Sequence, residues 1–241
     1  DPTTPVAEVV EQKIDNFHDE AEVEWEGTRV IGKVTFAPGK VRRRPVRMGA
    51  DQFCQNFHDQ VVLSEGLVTH GDGDLQYALV YVKEGLPAGQ SWPVPENPAV
   101  IDQKGCMYIP HVIGVRAGQA IKILNSDNTL HNVKATPSRN SGFNEGMPVP
   151  GMVLNKSFSK PELGVPLKCD VHPWMNAYVH VLDHPFFYVT GEQGAFEILG
   201  LPPGEYTLEA WQESSRVPPV TFKVTVKENR SVRADVELAP E

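Results

Sequence analysis

Cysteine is scarce in this 241-residue chain. There are three, Cys54, Cys106 and Cys169, and no two of them form a C-x-x-C pair. That argues against a zinc ribbon, a thioredoxin-type dithiol and a small disulfide scaffold. The odd count leaves at least one thiol outside any intramolecular pair. No run approaches 18 uncharged apolar residues, so nothing reads as a membrane span. Positive charge is short as well: 22 Lys and Arg stand against 31 Asp and Glu, a net charge of −9. That balance argues against nucleic acid or an anionic membrane as partner. The opening DPTTPVAEVVEQK has no basic n-region and no apolar h-region, so the chain reads as either cytosolic or a mature form already processed. What is present is an ordinary globular composition, 40% hydrophobic and 22% charged. The length suggests one or two domains. The 20 Gly and 21 Pro favour many short elements joined by turns over a helical bundle.

Residues 5–21 read as a helix, with Thr4 as cap, Pro5 in the first turn, and Val6, Val10, Ile14 and Phe17 on one face. Its other faces and the stretch beyond are acidic (Glu8, Glu11, Asp15, Asp19, Glu20, Glu22, Glu24, Glu26), which fits a solvated face or a docking patch for a basic partner. From residue 28 the period changes to two. TRVIGKVTFAPGK reads as a strand burying Val30, Gly32, Val34 and Phe36. The basic run around Arg42, Arg43, Arg44 and Arg47 reads as a solvated loop. LQYALVYVKEG (75–85) reads as a buried strand and the Pro- and Gly-rich 85–100 as a linker. HVIGVRAGQAIKILNSD (111–127) reads as a hairpin turning at Ala117-Gly118, followed by short strands HNVKA and AYVHVLD. GAFEILGLPPGEYTLEAW places strands on both sides of Leu201-Pro202-Pro203-Gly204. TFKVTVKENRSVRADVEL (221–238) reads as a second hairpin burying Phe222, Val224 and Val226, then Val232, Ala234, Val236 and Leu238. No second helix stands out, and the class is all-β of the sandwich type.

One segment carries chemistry. LKCDVHPWMNAYV (167–179) holds Cys169, His172 and Met175 at C-x2-H-x2-M spacing, and His131 lies upstream in TLHNVKA. A thiolate, two imidazoles and a weak thioether are the ligand set of a blue-copper centre. Thiolate and thioether suit Cu(I), and imidazole suits both oxidation states, so little has to move when one electron is exchanged. A turn at Pro173 lets Cys169, His172 and Met175 face one point. Zinc is the competing metal, but zinc sites rarely recruit Met.

On these residues the chain resembles the cupredoxins, and within them the amicyanin type, over roughly residues 100–183. The resemblance rests on Cys169-Asp170-Val171-His172-Pro173-Trp174-Met175, on His131-Asn132-Val133, and on GVRAGQAIKILNSDNTLHNV leading into the first ligand. It implies one type 1 copper held by His131, Cys169, His172 and Met175. It also implies that Asn132 ties the two ligand loops, with Pro173 and Trp174 beside the ligands, and that the electron leaves through an exposed edge of His172. The chain runs almost 60 residues past the point where a free-standing cupredoxin would finish. There, FFYVTGEQGAFEILGLPPGEYTLEAW resembles the carboxypeptidase-regulatory-like (transthyretin-like) sandwich, whose opening strand would be TRVIGKVTFAPGK. Together these imply an N-terminal helical segment (1–21), a host sandwich in two parts (22–90 and 184–241), and a Greek-key cupredoxin sandwich (91–183) inserted in or joined to it.

The resemblance implies an electron carrier, not an enzyme. It would pass one electron between redox proteins, such as a c-type cytochrome and a membrane oxidoreductase, in the periplasm or outside the cell. The remaining histidines (His18, His58, His70, His111, His180, His184) contain no H-x-H, against a multicopper oxidase or a nitrite reductase. His180 and His184 on a strand do not converge and read as solvent-facing or core histidines. If Cys169 holds copper, Cys54 and Cys106 remain to pair in an oxidising compartment, the alternative being two buried free thiols. Copper storage, delivery or sensing without redox cycling is the alternative function. A scaffold that has lost its metal is a third.

Overall fold

The computed structural model describes residues 28–37 and 41–241. The helix expected over 5–21 and its acidic flank lie outside the described residues. Nearly everything described is strand, arranged in four sheets that face each other in pairs.

One pair is built from both ends of the chain. Arg29–Phe36 alternates inward and outward at every residue, burying Val30, Gly32, Val34 and Phe36. It pairs antiparallel with Ala195–Leu199 and parallel with Ser231–Arg233 and Val236–Leu238. Gly32 is required there: a Cβ would collide with the Ala234 carbonyl and lie 2.6 Å from the Phe196 ring. The facing sheet runs Phe187–Val189, Leu79–Glu84, Gly204–Trp211 and Val220–Val226. Between them lies a core of Val30, Val34, Leu75, Val80, Phe196, Ile198, Leu208 and their neighbours.

The second pair of sheets comes from the middle of the chain. One has the order Phe143–Met147, His131–Ala135, Glu162–Lys168, Asn176–Leu182, Val112–Arg116. The other has the order Val153–Lys156, Ile121–Asn125, Ala99–Lys104, Met107–Ile109. Their core contains Ile101, Tyr108, Ile121, Ile123, Val133, Leu167 and Val179. Met48 and Cys54, on the stretch assigned to the first sandwich from the sequence, pack in this second core, with Val46, Phe53 and Val62 against it.

Arg116 holds the crossing points between the two pairs of sheets. Its buried guanidinium donates to the carbonyls of Trp92 and Pro93 where the chain passes into the second sandwich, and of Leu182 and Asp183 where it returns. Four carbonyls from two distant stretches of chain are thereby satisfied by one side chain.

Several local expectations are corrected. Val112–Arg116 and Ile121–Asn125 are not a hairpin: the first pairs with Asn176–Leu182 and the second with Ala99–Lys104 and Val153–Lys156, in different sheets. Nor do 220–226 and 231–238 form one, because 231–233 and 236–238 pair with Arg29–Phe36. Alternation specifies which face a strand buries, not which sheet it joins, so a tight turn can equally be a corner between sheets. The strand expected at 75–85 is two, Asp74–Gln76 and Leu79–Glu84, broken where Tyr77 takes a left-handed conformation (φ 65°). A short helix, α1 (Gln52–Phe57), was not expected. Its N-cap is Asp51, whose side chain accepts from the Phe53 and Cys54 amides.

His180 is fully buried between the two sandwiches, its ring edge-on to Trp211 at 4.5 Å between centroids. Its Nδ1 accepts from the Gly164 amide. Burial pushes its pKa down from 6.5 to about 3. In that window the unfolded chain binds a proton that the folded chain refuses, so stability falls as pH falls, by about 1.4 kcal/mol per pH unit from this group. His180→Asn keeps an acceptor and cannot protonate. Urea unfolding between neutral pH and about pH 4 should show the wild type losing stability more steeply than the variant by that amount.

Candidate metal centre

His131 opens the strand His131–Ala135, and Cys169, His172 and Met175 lie on the turn between Glu162–Lys168 and Asn176–Leu182. Those two antiparallel strands neighbour each other, and Glu162–Lys168 also pairs with His131–Ala135. All three strand ends therefore arrive at one place. The turn is closed by the Met175 amide on the His172 carbonyl (2.9 Å) and the Cys169 amide on the Met175 carbonyl (3.2 Å). Tyr108, fully buried, reaches the Asn132 carbonyl (2.8 Å) and the Lys168 carbonyl (3.2 Å), bracing the two ligand-bearing strands.

The ligand atoms of His131, Cys169 and His172 all lie within 4.8 Å of one another, and all three residues are buried. The Nδ1 atoms of His131 and His172 face each other at 2.9 Å, and Cys169 Sγ is 3.9 Å from His172 Nδ1. Met175 is buried in the same core. Cys169 Sγ receives the amides of Asn132 (3.5 Å) and His172 (3.4 Å). Burial raises the Cys169 pKa, but hydrogen bonding with His131 and these amides outweighs it, so the thiol sits below its ordinary value. Asn132 accepts from the Asp170 amide and donates to Asn144, linking the first-ligand strand to the turn. Trp174 is half-buried, 5.0 Å from the His172 ring between centroids, and its Nε1 donates to the Cys106 carbonyl (3.1 Å). Pro173 is exposed on the turn.

Each imidazole has a carboxylate on its outer nitrogen. Asp127 Oδ2 is 2.9 Å from His131 Nε2, and Asp51 Oδ2 is 3.1 Å from His172 Nε2. Burial raises the Asp127 pKa, but His131 and the Cys106 and Gly105 amides hold it below the usual range. Burial likewise opposes ionisation of Asp51, but the Thr129 hydroxyl, the Cys54 and Phe53 amides and His172 bring it to about 2. An ionised carboxylate only accepts. Both Nε2 atoms therefore carry hydrogen, and both neutral rings turn bare Nδ1 lone pairs toward each other. Two lone pairs at 2.9 Å repel unless a cation lies between them. Without a metal a proton serves: burial disfavours the charged form of His131, but Asp127 and Cys169 carry its pKa up to about 9. The donor set, two imidazole nitrogens and a thiolate with a thioether on the same turn, is one that suits copper.

The expected exposed edge of His172 is corrected. His172 is 1% exposed. Its outer nitrogen is covered by Asp51 and by Cys54 Sγ at 3.6 Å. Cys54 forms a disulfide with Cys106, and Cys169 is the free thiol. Helix α1 is too short to stand alone. It is fastened by that bond, by Asp51, and by His58 Nε2 on the Gly105 carbonyl (2.6 Å). Gly105 (φ 63°) permits the fit, since a Cβ would lie 2.8 Å from the Phe57 and His58 rings. Asp51, Asp127 and Tyr108 were not singled out from the sequence. Asp127 has a local signal, four residues before His131, whereas Asp51 is 121 residues from His172 and has none.

His111 and His184 are both buried away from the centre. His111 lies 2.6 Å from Glu213 and 3.7 Å from Glu65, carboxylates of the other sandwich.

No family model and no curated protein matches the chain. Solved structures are similar to part of it. They include a purple cupredoxin from Nitrosopumilus maritimus, 20% identical at a TM-score of 0.31, covering 35% of this chain and 99% of that one. A reduced amicyanin mutant is 20% identical at 0.33, covering 37% and 86%. The Cu-containing nitrite reductase from Thermus scotoductus is 18% identical at 0.32, covering 42% of this chain and 26% of that one.

The Cys54–Cys106 bond spans 52 residues. Replacing both cysteines with Ala should lower stability by about 4 kcal/mol in the chain-entropy account, read as a lower urea midpoint.

Proposed function

We propose that the chain is a mononuclear type 1 copper protein that carries single electrons between redox proteins. The observation behind this reading is the pair of buried Nδ1 atoms, of His131 and His172, 2.9 Å apart beside the Cys169 thiol. His131 Nδ1, His172 Nδ1 and Cys169 Sγ would hold the metal, with Met175 as the weak fourth ligand. Bound copper supplies a one-electron change between Cu(II) and Cu(I).

The residues of this chain do the rest. Asp127 and Asp51 orient the imidazoles and hold a hydrogen on each Nε2, which leaves the Nδ1 positions for the metal. The Asn132 and His172 amides donate to the Cys169 sulfur and so favour its anionic form. Burial of all three ligands excludes water. We read the protein as a carrier rather than an enzyme, exchanging electrons with a partner such as a c-type cytochrome or a membrane oxidoreductase. The disulfide supports an oxidising compartment, the periplasm or the exterior. We read residues 22–90 and 184–241, apart from the 46–62 stretch that packs in the second core, as a host sandwich, a mount or docking module interrupted by the copper sandwich at 91–183. Arg116, bonded to both crossing points, supports that reading.

The covered edge of His172 favours a second reading, copper storage or delivery, in which rapid electron exchange is not required. One experiment separates the two. Protein loaded with Cu(II) should hold one copper per chain, show an intense visible thiolate-to-copper band and give reversible voltammetry. Cys169→Ser should abolish the band while leaving the far-ultraviolet circular dichroism unchanged. A protein that binds only Cu(I) and stays colourless overturns the carrier in favour of storage. A band that survives in Cys169→Ser overturns the ligand assignment.

A further inference from the structure

Asp51 lies outside the metal turn and outside the strands that bear the ligands, yet its carboxylate reaches His172. Its two oxygens divide the work. Oδ1 caps α1 through the Phe53 amide (2.7 Å) and the Cys54 amide (3.2 Å). Oδ2 accepts from the Thr129 hydroxyl (2.8 Å) and faces His172 Nε2 (3.1 Å). The Cys54–Cys106 bond pins the helix that follows, so the carboxylate cannot swing away without moving α1. Thr129 lies two residues before His131, so the same oxygen also touches the segment bearing the first ligand.

We propose that Asp51 is a positioning residue of the metal centre, which holds His172 as the Nε2–H tautomer and sets the Cu(II)/Cu(I) balance with a fixed negative charge. The proposal rests on the copper reading above. Its physical basis is simple. A hydrogen held on Nε2 leaves Nδ1 as a lone pair aimed at the site, and a carboxylate on a ligating imidazole raises its basicity. A fixed negative charge stabilises the more positive oxidation state, here Cu(II); Asp51 is 21% exposed, but the His172 ring it faces is screened from water. The redox change it biases is the gain of one electron by Cu(II), supplied by a redox-protein donor, with no bond made or broken in the chain.

The test compares Asp51→Asn with wild type. Asn is nearly as good a helix cap as Asp, so α1 should start as before. With its oxygen on the cap, its amide nitrogen would face His172 Nε2 as a donor, which favours the wrong tautomer. The midpoint potential of the copper-loaded variant should rise by about tenfold in the Cu(II)/Cu(I) equilibrium, which is about 59 mV for one electron. Cu(II) affinity should fall by about 10- to 100-fold. In metal-free protein, the nitrogen chemical shifts of His172 should report Nε2–H in the wild type and lose that signature in Asp51→Asn. Thr129→Val is the companion variant. It removes a competing donor from Oδ2, leaves more charge for His172, and should lower the potential.

Opposite shifts in the two variants support the proposal, because loosening of the site would move both the same way. Unchanged potential and tautomer in Asp51→Asn, with a normal visible band, would overturn it and leave the copper reading standing. Should the wild type bind no Cu(II), the copper reading fails, while the His172 tautomer in metal-free protein still decides the role of Asp51. If Asp51→Asn does not fold, the sign of the Thr129→Val shift decides: a rise, or no change, overturns the proposal.

Discussion

Two imidazoles that turn their inner nitrogens on each other make up the constraint around which the middle of this molecule is arranged. Left alone, the lone pairs of His131 and His172 at 2.9 Å would push the rings apart or turn them over. They are held by carboxylates on the far side, Asp127 and Asp51, each of which is itself held by backbone amides. The chain has thus committed one buried carboxylate, Asp127, and one half-buried carboxylate, Asp51, to a geometry that only a cation relieves. A packed core needs no such arrangement.

The same carboxylates tie the centre to its surroundings. Asp127 accepts from the Gly105 and Cys106 amides and from His131, so the turn that bears Cys106 is positioned by the residue that positions the first imidazole. Asp51 does the equivalent for α1 and the second imidazole, and the Cys54–Cys106 bond joins the two arrangements. The disulfide is therefore more than a staple: its sulfur at Cys54 is in contact with His172. The outer edge of that ring is closed by a segment that departs from the other sandwich, and any electron exchange has to be described with that cover in place.

Much of the architecture was legible in the chain. The alternation in TRVIGKVTF named the buried face of Arg29–Phe36 residue by residue, and Val224, Val226, Val236 and Leu238 are buried as their spacing requires. The C-x2-H-x2-M spacing placed Cys169, His172 and Met175 on one turn. Neither expected hairpin forms, for a common reason. The signals at Ala117-Gly118 and near Asn229 mark a reversal, but the following strand crosses to the opposite sheet, and local periodicity is the same for either outcome. Helix α1, with six residues and a single fully buried side chain, had no periodicity to read.

Chemistry of short range is readable in the chain alone: which residue types could bind a metal and which faces could be buried. Those depend on side-chain identity and on spacings of a few residues. The environment of those groups is set by contacts between distant parts of the fold. Asp51 meets His172 across 121 positions, Cys54 closes the edge that was expected to be open, and Arg116 joins two distant crossings. Such contacts are set by how two sandwiches pack and by where one short helix is pinned, and no local pattern in the chain encodes them.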